Sequence, residues 1–154
     1  MNLTTLLDDL VNLYQSQAQT QQIDLRSEIA QALIVLGDAV QLTRLFTNLI
    51  VNALHYTLAN GTVTVMAFRS KQTIIVTVQD TGIGIAPEHL ERVFDRFWRA
   101  DQSRTYSSGG SGLGLAIAQS IAQSHNGSIR VTSEVSVGSC FTVRLPIANI
   151  GFVK

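Results

Sequence analysis

The chain has 154 residues, 45% of them hydrophobic, 14% charged and one a cysteine, which fits a single globular domain able to bury roughly 68–70% of its unfolded surface. Its 11 basic residues balance 11 acidic ones, so no global field invites nucleic acid or an anionic membrane. The lone Cys140 excludes an internal disulfide and fits a reducing cytosol, and no apolar run is long enough to span a bilayer, so a soluble, cytoplasmic chain without membrane contact is expected.

Residues 2–20 carry Leu3, Leu6, Leu7, Leu10, Val11 and Tyr14 in one stripe and read as a packing helix. "IDLRSEI" (23–29) and "LIVLG" (33–37) read as short strands, the second closed by glycine. Asp38 is placed to cap a helix running to about residue 58, whose apolar face is Leu42, Leu45, Phe46, Leu49, Ile50 and Ala53. "NGTVTVMAF" and "QTIIVTVQD" are β-rich runs parted by "RSK", the pattern of an antiparallel pair. Pro87 and Glu88 start a helix through about Phe94, and residues 97–112 form a long loop rich in Ser, Gly and Arg. Helix returns from Gly112 to His125 and ends at Asn126-Gly127. "GSIRVTSE" and "GSCFTVRLP" close the chain as a second strand pair, with a turn around 135–138 and Cys140 as a buried, inert thiol. Strands in pairs, without strict βαβ alternation, indicate α+β: a mixed sheet with helices on one face.

Four stretches could carry chemistry. In "TNLIVNALHYT" (47–57), Asn48 and Asn52 lie one helical turn apart, away from the leucine stripe, with His55 and Tyr56 a turn further on. Asparagine competes for backbone hydrogen bonds and is a mediocre helix former, so a row of two needs a reason beyond helix formation. "DTGIGI" (80–85) leaves a strand directly. Asp80 at the strand's end can face a cleft, and Gly82 and Gly84 permit positive φ or close approach to a flat ligand; an ordinary turn is the alternative. "GGSGLGLAI" (109–117) opens a helix with four glycines, presenting free N–H groups and a positive dipole end suited to phosphate. It lacks the Lys-Ser/Thr of a P-loop and completes no dinucleotide fingerprint, and a flexible linker is the alternative. Between these lies "ERVFDRFWRADQSR" (91–104), where Arg92, Arg96, Arg99 and Arg104 interleave with Phe94, Phe97 and Trp98. Arg92 and Arg96 suit a solvated helix end; Arg99 and Arg104 fall in the loop, where a guanidinium can reach phosphate oxygens.

Taken together in this order, the motifs resemble those of the catalytic ATP-binding domain of sensor histidine kinases, within the superfamily that includes gyrase, heat-shock chaperone and mismatch-repair ATPases. "NLIVNALHYT" looks like the N box, "DTGIGI" the G1 box, "FDRFWR" the F box and "GGSGLGLAI" the G2 box, and "HNGSIRVTSEVSVGSCFTVRLP" resembles the closing strands. The resemblance covers about residues 25–146. It implies a two-layer α/β sandwich of the Bergerat type, with a mixed, mostly antiparallel sheet and about three helices on one face. ATP would lie between the N-box helix and a mobile lid at about 97–111. By the same resemblance the Asn52 side-chain oxygen coordinates Mg²⁺, Asn48 helps hold the metal-bound phosphates, and His55 stands where the family often has a phosphate-contacting lysine. Tyr56 would pack against adenine, and Asp80 would accept its amino hydrogen beside Gly82 and Gly84. Arg99 and Arg104, with Gly110, Gly112, Leu113 and Gly114 of the G2 box, would neutralise and cradle phosphate; Asn48, Asn52 and Arg99 are the residues expected to act in phosphoryl transfer.

None of His55, His89 or His125 has the S-H-E-L-R-T-P-like setting of the family's phosphoacceptor, and His89 and His125 read as structural. The expected organisation is a leading helix (1–22) that packs or connects to a dimerisation hairpin, an ATP-binding domain (23–146) and a tail (147–154). Too little chain precedes Asn48 for that hairpin, so one module of a larger kinase, or a naturally free catalytic module, is expected. Its partners would be the dimerisation and phosphoacceptor domain and, indirectly, a response regulator receiver domain; the parent kinase can be membrane-anchored. Two rivals stand beside this reading. A gyrase-type ATPase would have a water-activating glutamate at the position of Asn48, and a nucleotide-binding pseudokinase scaffold is opposed by the presence of every nucleotide-contacting motif.

Overall fold

The computed structural model describes residues 1–95 and 114–148. Within them the order is α1 (Leu3–Thr20), β1 (Asp24–Ile29), α2 (Ala39–Tyr56), β2 (Thr62–Ser70), β3 (Thr73–Asp80), a 3₁₀ turn (Pro87–His89), α3 (Gly114–Ser124), β4 (Ser128–Glu134) and β5 (Gly138–Pro146). The strands form one mixed sheet in the order β1-β2-β3-β5-β4, with β1 parallel to β2 and every other pair antiparallel.

Side-chain alternation decides which face of the sheet is covered. Val63, Val65 and Ala67 of β2 are buried, in step with Val76 and Val78 of β3 and Phe141, Val143 and Leu145 of β5. They share one core with Leu7 and Leu10 of α1, Leu45, Phe46 and Leu49 of α2, and Ala118 and Ile121 of α3. Each large side chain removed from water here contributes roughly 1.5–3 kcal/mol. Of the residues between them, Thr64, Met66, Thr77 and Thr142 are half-buried on the opposite face and Arg144 is exposed. The α+β two-layer arrangement read from the sequence is therefore the one observed, with three α-helices over a five-stranded sheet among the described residues.

The helix that matters most is α2. Asp38 caps it, its Oδ1 accepting from the amides of Val40 (2.8 Å) and Gln41 (3.2 Å). The stripe of Leu42, Leu45, Phe46, Leu49, Ile50, Ala53 and Leu54 is buried, leaving the asparagine row at its margin. Helix α3 runs back along α2. At one end Asn48 Nδ2 donates to the Gly114 carbonyl (3.1 Å); at the other the Asp38 amide donates to His125 Nε2 (3.1 Å). Because Nε2 accepts, the ring proton sits on Nδ1, which lies 2.9 Å from the Ile121 carbonyl. His125 is thus a structural clamp between two helix ends, as its sequence setting suggested. Asn126 follows at φ +60° and ends α3, with the Gly127 amide donating to the Ala122 carbonyl (2.8 Å).

Three expectations need correction. "LIVLG" is not a strand: it makes a single bridge, Ile34 to Asn2. The backbone of 33–35 is shared between residues 1–3 and Ala148, in isolated hydrogen bonds and not a ladder. Residues 87–94 do not form a continuous helix. A 3₁₀ turn is followed by further turns, with amides of Leu90, Arg92 and Asp95 each reaching back three residues, so that Val93 is buried and Phe94 meets Phe141 edge-on. Cys140 is half-buried, not buried. The inward positions of β5 are Ser139, Phe141 and Val143, so its thiol shares the other face with Thr142, 4.0 Å away. The loop expected over 97–112 lies wholly outside the described residues, as does the beginning expected for α3 at Gly112.

Candidate functional site

Asp80 ends β3, the central strand, between Val63 of β2 and Ser139 of β5. A carboxylate there is only 4% exposed, yet its Oδ1 accepts two backbone hydrogen bonds, from Gly82 (2.8 Å) and Ser139 (3.2 Å). Burial pushes its pKa above the ordinary carboxylate value, and the two amides pull in the opposite direction. Oδ2 takes no hydrogen bond from any described residue. A buried acceptor left open is costly unless something else fills it.

Asp80 and Ser139 line a cavity of about 340 Å³, part of it open to solvent, whose apolar walls are Ile85, Leu115 and Phe141. Asn52 and Tyr56 border it from α2, and Gly84 from the loop after β3. Its lining, mostly apolar with a few fixed polar groups, is that of a small-ligand pocket.

The two glycines after Asp80 serve the protein's own backbone. A Cβ on Gly82 would come within 2.2 Å of the Tyr56 carbonyl oxygen, so only glycine lets this turn close onto the end of α2, where the Ile83 amide donates to that carbonyl (3.2 Å). Gly84 sits at φ +76°, and a Cβ there would lie 2.2 Å from the Glu134 carbonyl oxygen. The sequence suggested positive φ or close approach to a flat ligand; Gly84 takes the positive φ, and both glycines lie close against the protein's own backbone. Behind the cavity, Ser133 Oγ accepts from the Ile85 amide (2.7 Å) and donates to the Gly138 carbonyl (3.0 Å). Its single proton being committed, the Ser139 hydroxyl 2.8 Å away must be the donor to it, and the Ser139 oxygen keeps its lone pairs for the cavity.

The structure therefore brings Asn52, Tyr56, Asp80 and Gly84 together on one cavity, with Gly82 behind Asp80. Asn48 lies one turn away along α2 at Gly114, and His55 meets Tyr56 edge-on with ring centroids 4.5 Å apart. Arg99, Arg104, Gly110, Gly112 and Leu113 lie outside the described residues. Ser139, Phe141, Ile85 and Leu115 were not singled out in the sequence. The signal for the first two was the period-two alternation of "GSCFTV", which sends both inward beside Asp80. Among the described residues no group of three or more His, Cys, Asp or Glu could hold a metal ion.

The family model for histidine kinase-, DNA gyrase B- and HSP90-like ATPases matches residues 37–149, a span that contains every residue of this cavity. The chain belongs to this ATPase family. Sensor histidine kinase RppB of Synechocystis sp. is 44% identical over 152 residues, which are 98% of this chain and 34% of RppB. The chain thus spans about a third of that relative's length. Full-length ShkA, solved in complex with AMPPNP, superimposes with a TM-score of 0.84 at 28% identity, over 96% of this chain and 30% of ShkA. The catalytic domain of histidine kinase ThkA gives a TM-score of 0.83 at 26% identity, over 96% and 93%. ThkA has also been solved with response regulator protein TrrA, where the match is 25% identical with a TM-score of 0.79, over 96% of this chain and 41% of ThkA. Family and fold together make this a nucleotide-binding domain.

Proposed function

We propose that this chain is the catalytic ATP-binding domain of a sensor histidine kinase, which binds Mg-ATP and presents its γ-phosphoryl group to a histidine on a dimerisation domain. The observation that carries this reading is Asp80: backbone amides hold one carboxylate oxygen and leave the other to the cavity. An ionised carboxylate only accepts hydrogen bonds, so it pairs with the amino group of adenine and rejects the carbonyl that guanine carries at that place. Ile85, Leu115 and Phe141 exclude water from the base, and Tyr56 covers its α2 side.

Asn52 offers a neutral oxygen at the cavity, which suits Mg²⁺, an ion that keeps several waters and takes further ligands from phosphate. On this reading Asn48 holds the metal-bound phosphates and His55 contacts phosphate in place of a lysine. Arg99 and Arg104, with Gly110, Gly112, Leu113 and Gly114, complete the phosphate side. Mg²⁺ supplies charge neutralisation on the phosphates when bound. Asn48 has no basic lone pair with which to deprotonate water, which disfavours hydrolysis, whereas a partner imidazole is already a nucleophile at neutral pH. That contrast sets this reading above a gyrase-type ATPase. A response regulator would take the phosphoryl group from that histidine and not at this cavity; ThkA, solved with one, supports such a partner. Use of ATP fits a domain on the cytoplasmic side. No described helix is long and apolar enough to cross a membrane.

The test is to fuse a histidine kinase dimerisation hairpin ahead of this chain and incubate the fusion with γ-labelled Mg-ATP. An acid-labile, base-stable label on the hairpin is expected, with only slow hydrolysis by the unfused chain. Rapid turnover by the unfused chain, comparable to a dedicated ATPase, would move the assignment to the rival class.

A further inference from the structure

We infer that Arg44 reads the terminal phosphate of the nucleotide and so sets a preference for ATP over ADP; this deepens the nucleotide-binding reading and rests on it. Arg44 lies on α2 one turn before Asn48 and two turns before Asn52, in the same four-residue row. It is exposed. The ion pairs among the described residues are Arg26–Asp24 and Arg92–Asp95, and no described carboxylate or carbonyl takes a hydrogen bond from Arg44. Five guanidinium donors therefore stand uncommitted in line with the site.

The direction of the ligand follows from what is fixed at each level of α2. The base anchor is at its C-terminal end, where Gly82 closes onto the Tyr56 carbonyl and aligns Asp80. Asn52 borders the cavity one turn back, and Asn48 stands where α3 begins, at Gly114. A nucleotide whose base sits on Asp80 and whose phosphates meet Asn52 and Asn48 must run toward the N-terminal end of α2. Each four-residue step of helix is about 6 Å, so the backbone of Arg44 stands roughly 12 Å beyond that of Asn52 in that direction. A long side chain shortens the gap from the far side, which addresses the phosphate farthest from the base. The planar fork of a guanidinium matches two phosphoryl oxygens at once. A purely solvated arginine is the simpler alternative, since exposed helix faces carry such residues by default. Its register with the two asparagines, and the lack of any partner among the described residues, favour the functional role. Arg130 and Arg144 have no such register; they occupy exposed positions on β4 and β5.

Calorimetric titration of this chain with Mg-AMPPNP and with Mg-ADP decides it. Arg44→Gln should weaken AMPPNP binding about tenfold or more, the scale of a charged hydrogen bond, and leave ADP within twofold. Arg44→Lys should fall between, because a point charge replaces a fork. An unchanged thermal midpoint in both variants would confirm that an exposed site was altered without harm to the fold. Equal losses for the two nucleotides, or no loss for AMPPNP while the unaltered chain binds it, would overturn the role of Arg44 and leave the nucleotide-binding reading standing. Failure of the unaltered chain to bind either nucleotide would overturn both.

Discussion

Asp80 and Asn48 stand at opposite ends of the candidate site and are held in opposite ways. Asp80 is buried on the central strand, fixed by two backbone amides, and beside it Gly82 and Gly84 pack so closely on neighbouring chain that no side chain fits. Asn48 is half-buried on a helix margin and tied by one hydrogen bond to Gly114. The base end is thus organised before any ligand arrives, at the cost of a buried charge. On the proposed reading the phosphate end consists of half-buried side chains that would gain their order from phosphate and metal. Base selectivity should therefore be built into the fold, while affinity for the phosphates should respond to the metal.

The comparison breaks most sharply at Asp80. Asp80→Asn turns the free acceptor into a potential donor facing the adenine amino group, and ATP affinity should fall roughly 10- to 100-fold by calorimetry. The fold should not suffer. Burial raises the pKa of this acid, so its ionisation costs stability as pH rises through that raised value, and below the ordinary carboxylate range the cost is absent. The neutral amide removes the cost, so its thermal midpoint at pH 7 should equal or exceed that of the unaltered chain, with any advantage fading in acid. A lower midpoint at pH 7 would show that Asp80 is chiefly structural. A smaller effect is expected at the phosphate side. Asn52→Ala should cost about two- to tenfold in affinity for Mg-ATP, the scale of one neutral interaction, and much less when EDTA removes the metal. Equal losses with and without Mg²⁺ would make Asn52 a wall of the cavity and not a metal ligand.

These features differ in how far the sequence exposed them. The asparagine row was legible because helical periodicity places Asn48 and Asn52 off the leucine stripe whatever the tertiary packing. Asp80 was legible because it ends an alternating strand just before two glycines. The fold class followed from strands that come in pairs, and β2–β3 and β4–β5 are those pairs. What failed depended on neighbours. "LIVLG" has strand composition, but among the described residues it makes only a single bridge and isolated backbone hydrogen bonds to residues 1–3 and Ala148. Residues 87–94 have helical composition, but burying Val93 and Phe94 takes successive tight turns. Cys140 was misplaced by one step of alternation. Ser139 and Phe141 line the cavity only because β5 pairs with β3 in a register that sets Ser139 opposite Asp80, and a single strand's sequence does not reveal its register.

The central claim is that a buried carboxylate, set by the backbone, makes this an adenine site. Titrating the unaltered chain with ATP and with GTP, each in the presence of Mg²⁺, tests it most directly. ATP should bind saturably and GTP at least tenfold more weakly, because Asp80 would face a carbonyl where it needs a donor. Equal affinity for the two nucleotides would contradict the account.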